Sequence, residues 1–566
     1  MSKIVGPLWT KQAKLEGGLD PLGLDRVSDR LTGELVPGMS VNVNMAHYFS
    51  FFAWLFDTTK AENNDDLLEE IVRAEKVYAL GTYLRHAGES CVTGVAGGET
   101  AARLWDINKQ INLDKFNLLS SGGVYLGLYK GPLFKMGVLE TDKKGKVLVT
   151  KIGKPLSEAF NRAVAFTDWA KHGRSHAIVT RRELEQFGAQ SCPCTLAKSS
   201  TELNALRNLF FETPTEGGRT FAQSFGLVLS LIDQCEKYEF SYPEQSFRQT
   251  IYYRKVYNNQ KQVVNFKVLQ SLDPIVTRWR SFQAHDYFAF ALESLLDIWL
   301  KVMFVQSTQR LTLPQFTEQI DIKRFIATLN QHLGIRLSGK FLNEIKLNTL
   351  INALLKKANL TGFSAQNSVT FDNLISLDSS LSEDNLEYRI WEQREATDRH
   401  AERCAEAILL LLVLYVRFYY QHLSGTSQPG WNRYQAVSSQ SENDLGLPRF
   451  YYMFPFDHLV QMSVSDFLMN VLNHNVVRRA LLIGEEKRRD LIWFSEAGFS
   501  GLGGIAPLTQ AYQYHFSFAN YRYYRNTSKL NNVLTMLANI NYASEENGFW
   551  QLTPDGQKRL RKQFGN

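Results

Sequence analysis

The sequence predicts a mainly α, multi-domain protein in which two small helix–hairpin–helix modules flank a large helical middle. Three observations carry this expectation. Apolar residues recur at helical spacing over most of the chain, as in Leu67, Leu68, Ile71, Ala74, Val77, Tyr78 and Leu80. Strand-like segments are few, short and paired across tight turns. The phrase Thr-x-x-Gly, closing a small hairpin and opening a helix, occurs at Thr150 and again at Thr553. A chain of 566 residues is too long for one core. The expected segments are 1–70 (N-terminal helical segment), 71–170 (first hairpin module), 171–375 (helical middle), 376–450 (linker plus long helix) and 451–566 (second hairpin module).

The elements follow in order. Pro37-Gly38 closes a helix from about Asp25 to Leu35, and His47–Phe56 is apolar nearly all round, so it should be buried. Asp65–His86 is a long amphipathic helix. Gly94–Gly98 is a turn, because it lacks the Lys-Ser/Thr of a phosphate loop. The first module runs from Ser120 to Phe160. Leu133, Met136 and Leu139 set a helix that ends near Gly137. Val138–Glu140 and Lys146–Thr150 are strands around the turn Asp142-Lys143-Lys144-Gly145. Thr150 is the candidate cap of the next helix.

Thr180 and Glu183 have capping-box spacing. Residues 200–310 read as helical hairpins, with Leu203, Leu206, Leu209 and Phe210 on one face. The Ser/Asp-rich stretch Ser376–Asn385 is the linker candidate, and Ser424–Asn443 a second polar boundary. Glu387–His422 is expected to be the longest helix, charged first and apolar after. Val464–His474 and Val476–Arg489 are helices, Leu491–Phe494 a strand and Gly498–Gly504 a glycine-rich loop. Ser528 is the expected cap of a helix carrying Leu530, Leu534 and Leu537, and a terminal hairpin follows.

Composition excludes several classes. The hydrophobic fraction of 44% and charged fraction of 21% are those of an ordinary globular protein. A net charge of +6 permits nucleic-acid binding through local patches without demanding it. Cys91, Cys192, Cys194, Cys235 and Cys404 are scattered and odd in number, which points to a reducing cytoplasm. The N-terminus has no signal-peptide core. The longest apolar run, Ala407–Val416, falls short of the roughly 20 residues that span a bilayer, so no membrane partner is expected.

Helix, two-stranded wing, helix is the second half of a winged-helix fold. The residues Gly137-Val138-Leu139-Glu140, the turn, and Leu148-Val149-Thr150 with Gly153 and Leu156 resemble winged-helix DNA-binding modules, over about 75–165. Gly548–Leu560 repeats the phrase, within about 510–566. The resemblance implies DNA contact through a helix and a wing. Separately, Leu19–Leu24, Pro37-Gly38 and Tyr48–Phe56 resemble the start of an uncharacterised bacterial family associated with anti-phage defence loci, as does the Cys192-Pro193-Cys194 turn. That resemblance implies a multi-protein system with an ATPase or nuclease partner and assigns no chemistry to this chain.

The candidate nucleic-acid-binding residues are Lys130, Lys135, Lys143, Lys144, Lys146, Arg522, Tyr523, Arg525, Lys529, Lys558 and Arg559. Cations interleaved with aromatics contact phosphate and stack on bases. The bland alternative is a solvated surface, or winged helices used as a protein scaffold. A metal-dependent nuclease needs converging carboxylates. The acids of 392–402 each have an Arg at helical spacing and read as a salt-bridged solvent face. His285, Asp286 and Glu293 read as satisfied buried polar groups. Cys192-Pro193-Cys194 is too tight for the usual zinc knuckle and reads as a structural turn. The expectation is therefore a non-catalytic subunit with no cofactor, no metal and no catalytic residue.

Overall fold

The computed structural model describes residues 20–565, except 41, 60–63, 92–93, 108, 119–122, 239–243, 306–311, 340, 361–374, 397, 424–428, 442, 481 and 484–527. The fold is mainly α, and its strands pair only two by two. No described helix is long and apolar enough to cross a membrane. The chain divides into two compact units. The first comprises Met1–Leu31, Gln249–Val256 and Thr277–Asn526; the second comprises Thr32–Arg248, Tyr257–Val276 and Thr527–Asn566. Both hairpin modules, some 400 residues apart in sequence, thus fall in the second unit.

In the second unit the helix His47–Thr58 is buried from His47 to Phe56, as its all-round apolar surface requires. Its rings join three neighbours. Phe51 stacks on Tyr78 (4.8 Å between centroids), Tyr48 lies 4.8 Å from Tyr129, and Trp54 lies 5.3 Å from Phe160. Helices Asn64–Arg85 and Arg181–Ser191 cross at Gly81 and Gly188, where a Cβ on Gly188 would sit 2.3 Å from the Gly81 carbonyl oxygen. The expected capping box opens the second of these helices: Thr180 Oγ1 accepts from the Glu183 N–H at 3.2 Å, and Glu183 Oε2 accepts from the Thr180 N–H at 2.8 Å.

The first unit departs from expectation in four places. The longest described helix is Asp273–Val305, with 33 residues. Glu387–His422 is instead two helices, Glu383–Glu392 and His400–Leu423. The charge periodicity runs on through 393–399, but Arg394 folds back over the Trp391 ring at 3.9 Å and the chain turns there. The stretch Ser376–Asn385 is packed: Ser382, Glu383 and Asp384 are buried, and the Ser382 hydroxyl caps Glu383–Glu392. Within Ser424–Asn443, the expected loop, Pro429–Val437 is helical. The strand expected at 491–494 and the loop at 498–504 lie outside the described residues.

Of the acids of 392–402, Glu392, Glu395 and Asp398 are exposed as expected, Glu395 beside Arg394 (3.4 Å) and Asp398 beside Arg324 (3.7 Å); Glu402 is the exception. Glu402 pairs with Arg399 (3.0 Å) yet is only 13% exposed. Glu406 is buried between Arg389 (3.0 Å) and His332 (3.2 Å). Glu406 thereby neutralises Arg389 where two helices pack, the ordinary resolution of a buried charge.

His285 is satisfied, as its setting predicts. Its Nε2–H donates to the Leu24 carbonyl and its Nδ1 accepts from the Tyr434 hydroxyl, each at 3.0 Å. Burial pulls the imidazole down from 6.5 to about 4. A histidine lowered on folding stabilises fully above its unfolded value. That stability fades as pH falls from 6.5 towards 4, because only the unfolded chain takes up the proton. Between pH 6.5 and about 5 the loss is about 2 kcal/mol. Denaturant titrations across this range should show His285→Gln with a pH slope flatter by up to one proton; equal slopes would refute the assignment.

Candidate nucleic-acid interface

The two modules share the bonds that join helix, hairpin and helix. In the first, the helix Lys130–Lys135 ends with Gly137 in the left-handed region (φ 72°), and the Val138 N–H returns to the Leu133 carbonyl at 2.8 Å. In the second, the helix Leu530–Asn539 ends with Asn541 at φ 56°, and the Tyr542 N–H returns to the Leu537 carbonyl at 2.9 Å. Both are helix ends that satisfy carbonyls through a left-handed residue. The strands Leu139–Thr141 and Val147–Val149 pair antiparallel, as do Ala543–Glu546 and Phe549–Leu552.

The shared Thr-x-x-Gly phrase now has a cause. Thr150 Oγ1 accepts from the Gly153 N–H at 3.2 Å and donates to the Gly137 carbonyl at 2.5 Å. Thr553 Oγ1 accepts from the Gly556 N–H at 3.1 Å and donates to the Asn541 carbonyl at 2.8 Å. Each threonine ties the approach to the last helix to the end of the first; Thr553 is the N-cap of Pro554–Gln563, whereas Thr150 lies one turn before Gly153, the N-cap of Lys154–Val164, and is not the expected cap. Each glycine lies against backbone: a Cβ would meet the Val138 oxygen at 2.5 Å in one copy and the Tyr542 oxygen at 2.0 Å in the other.

The copies differ in what they expose. In the first, the Asp142 carboxylate accepts the Lys144 and Lys146 backbone N–H groups, each at 2.8 Å. The tight turn thereby presents Lys143, Lys144 and Lys146 to solvent. The preceding helical segment shows an exposed stripe of Gly127, Lys130, Gly131 and Lys135. Its first amides, Val124 and Tyr125, donate to buried Glu75 at 2.8 and 2.6 Å. Burial pushes that carboxyl up to about 7 against these bonds. Lys151 is exposed too, and Lys154 pairs with Asp57. Among the described residues, Lys130, Lys135, Lys143, Lys144, Lys146 and Lys151 have no carboxylate partner.

The second copy is turned inward. The helix Leu530–Asn539 is buried except at Asn531, Thr535 and Ala538. Asn532 Nδ2 donates to the Ser40 and Val43 carbonyls at 3.1 Å each, and Asn539 Oδ1 accepts from the Ala46 N–H at 2.9 Å. Arg559 is consumed inside the unit: it pairs with Glu212, donates to the Tyr542 hydroxyl at 3.1 Å and lies 5.2 Å over the Phe211 ring. The hairpin exposes Glu545 and Glu546 where the first copy has lysines. Lys558 is exposed. Lys529 is half-buried and occupies the helix N-cap at φ 61°. Ser528 is therefore not the cap, and its buried hydroxyl has no partner among the described residues. Arg522, Tyr523 and Arg525 lie outside the described residues. The structure thus brings Lys130, Lys135, Lys143, Lys144 and Lys146 onto one module and sets Arg559 apart from them.

No protein-family model, curated protein or solved structure matches this chain. The functional reading consequently rests on geometry.

A second constellation joins residues that sequence spacing keeps apart. Cys192 and Cys194 meet His86 and Cys91, about a hundred residues earlier; the four donor atoms lie within 4.8 Å of one another. Cys91 Sγ and Cys194 Sγ are each 3.2 Å from Cys192 Sγ. His86 Nε2 is 3.2 Å from Cys192 Sγ and 3.6 Å from Cys194 Sγ. His86 and Cys91 carry no motif of their own. The available signal was that three of the five cysteines fall between positions 91 and 194.

Proposed function

We propose that the chain is a non-catalytic nucleic-acid-binding subunit, acting on DNA through the helix and wing of its first module. The supporting observation is the set of six exposed lysines without carboxylate partners on that module. Surface cations left unneutralised by the fold are the groups that displace counterions from a phosphate backbone. The glycines beside Lys130 and Lys135 leave the helix surface low enough for a sugar–phosphate chain to approach. The burial of the equivalent helix in the second copy favours an architectural role for that copy. The N-terminal resemblance adds the proposal of a bacterial anti-phage assembly with an ATPase or nuclease partner.

Fluorescence anisotropy with duplex and single-stranded DNA over a salt series tests this. Affinity should fall steeply with salt. Replacing Lys143, Lys144 and Lys146 by Gln should reduce the log–log salt slope by about 2–3. The melting temperature should hold, because all three side chains are exposed. An unchanged slope, or no binding at about 50 mM salt, refutes the reading.

A further inference from the structure

We infer that His86, Cys91, Cys192 and Cys194 form a structural zinc site that pins the end of the Asn64–Arg85 helix to the Cys192-Pro193-Cys194 corner. This inference stands apart from nucleic-acid binding and shares no residue with it.

The dimensions fit. Zinc–sulfur bonds of about 2.3 Å and zinc–nitrogen bonds of about 2.0 Å give a tetrahedron with S–S edges of about 3.8 Å and S–N edges of about 3.5 Å. The observed contacts run from 3.2 to 3.6 Å, and no pair of donors is more than 4.8 Å apart. The sulfurs are too far apart for a disulfide, whose bond is about 2.05 Å. They lie at thiol hydrogen-bond distance, and a cation at the centre needs only a small outward movement of the sulfurs.

The backbone is arranged for it. The crossing at Gly81 and Gly188 lets the two helices meet backbone to backbone, so His86 and Cys192, one turn beyond, converge. After His86 the chain reverses through Ala87 (φ 52°) and Gly88 (φ 90°), and the Gly88 N–H closes on the Tyr83 carbonyl at 2.8 Å. A left-handed alanine is strained, and the reversal it permits is what returns Cys91 to the cluster. Cys192 is extended (ψ 132°) and Pro193 starts the helical turn Pro193–Leu196, which points both sulfurs of a one-residue spacing to the same side.

The chemistry agrees as well. Zinc takes cysteine as thiolate and histidine as neutral imidazole, so binding Zn²⁺ releases the thiol protons. Three thiolates and one imidazole complete a four-coordinate shell with no open position, the pattern of a structural rather than catalytic zinc.

Metal analysis of the full chain, purified without added metal or chelator, should find one zinc per chain. Cys91→Ser and Cys194→Ser should each bring the content near zero, while Cys235→Ser retains it. Exchange of wild type into Co²⁺ should give intense tetrahedral d–d bands and sulfur-to-cobalt charge transfer, a readout that needs no variant to fold. Alkylation of the denatured, unreduced protein should count five thiols once zinc is removed. Absence of both zinc and the cobalt bands, two thiols missing as a disulfide, or metal retained by Cys91→Ser and Cys194→Ser would overturn the assignment.

Discussion

Replacing Glu383 by Gln should destabilise the first unit by about 3–5 kcal/mol, the cost of leaving a buried charge without its partner. Glu383 and Arg417 are both fully buried. Arg417 Nη2 donates to Glu383 Oε2 at 3.2 Å, its Nε to the other oxygen, and the Tyr252 and Tyr253 hydroxyls add bonds at 3.0 and 2.8 Å. Burial alone would lower the guanidinium; the Glu383 carboxylate more than offsets it and leaves Arg417 raised. Arginine cannot shed its proton to escape. In Glu383→Gln the charge therefore stays, the counter-ion goes, and one hydroxyl faces an amide N–H in place of an acceptor. Urea denaturation measures the loss. The double variant Glu383→Leu/Arg417→Met should recover most of it, because removing both charges also removes the desolvation they incur. A single variant within about 0.5 kcal/mol of wild type would refute this account.

Gly556→Ala should cost about 3 kcal/mol, the upper range for overpacking. The new methyl would lie 2.0 Å from the Tyr542 carbonyl oxygen, and backbone cannot rotate aside as a side chain can. Gly153→Ala makes the matching clash in the first copy, at 2.5 Å from the Val138 oxygen, and should cost somewhat less. Gly131→Ala is the control. Nothing lies within 4 Å of its Cβ position, so it should leave stability unchanged or raise it by up to about 1 kcal/mol through helix propensity. Thermal melts of the three variants decide the matter; equal melting temperatures would refute the close-contact account.

What the sequence disclosed was local. Thr150, Gly153, Thr553 and Gly556 are legible because the threonine bonds and the glycine contact are completed within about 15 residues, so the phrase carries its own geometry, although the threonine is the helix cap only at Thr553. Thr180 and Glu183 are legible for the same reason. What the sequence withheld depends on partners far along the chain. The two modules read alike, yet burial of Leu530–Asn539 is decided by Ser40, Val43 and Ala46. Cys192 and Cys194 read as a turn because His86 and Cys91 are brought to them only by the helix crossing. Ser376–Asn385 reads as a linker because Ser and Asp favour both solvated loops and caps, and composition does not reveal that Arg417 waits for Glu383.

The interleaving of the second unit has a consequence for biosynthesis. Most of that unit, Thr32–Arg248, leaves the ribosome long before the segment Thr527–Asn566 that completes it. At translation rates of about 5–20 residues per second the nascent chain spends on the order of tens of seconds with the Ser40 and Val43 carbonyls lacking the Asn532 amide, and with Gly226 lacking the Phe564 ring that covers it. Domains made of one continuous stretch can finish while synthesis continues. This one closes only after the C-terminal strands and helix arrive, so its apolar seat is exposed to holdase chaperones and to premature aggregation for that whole interval.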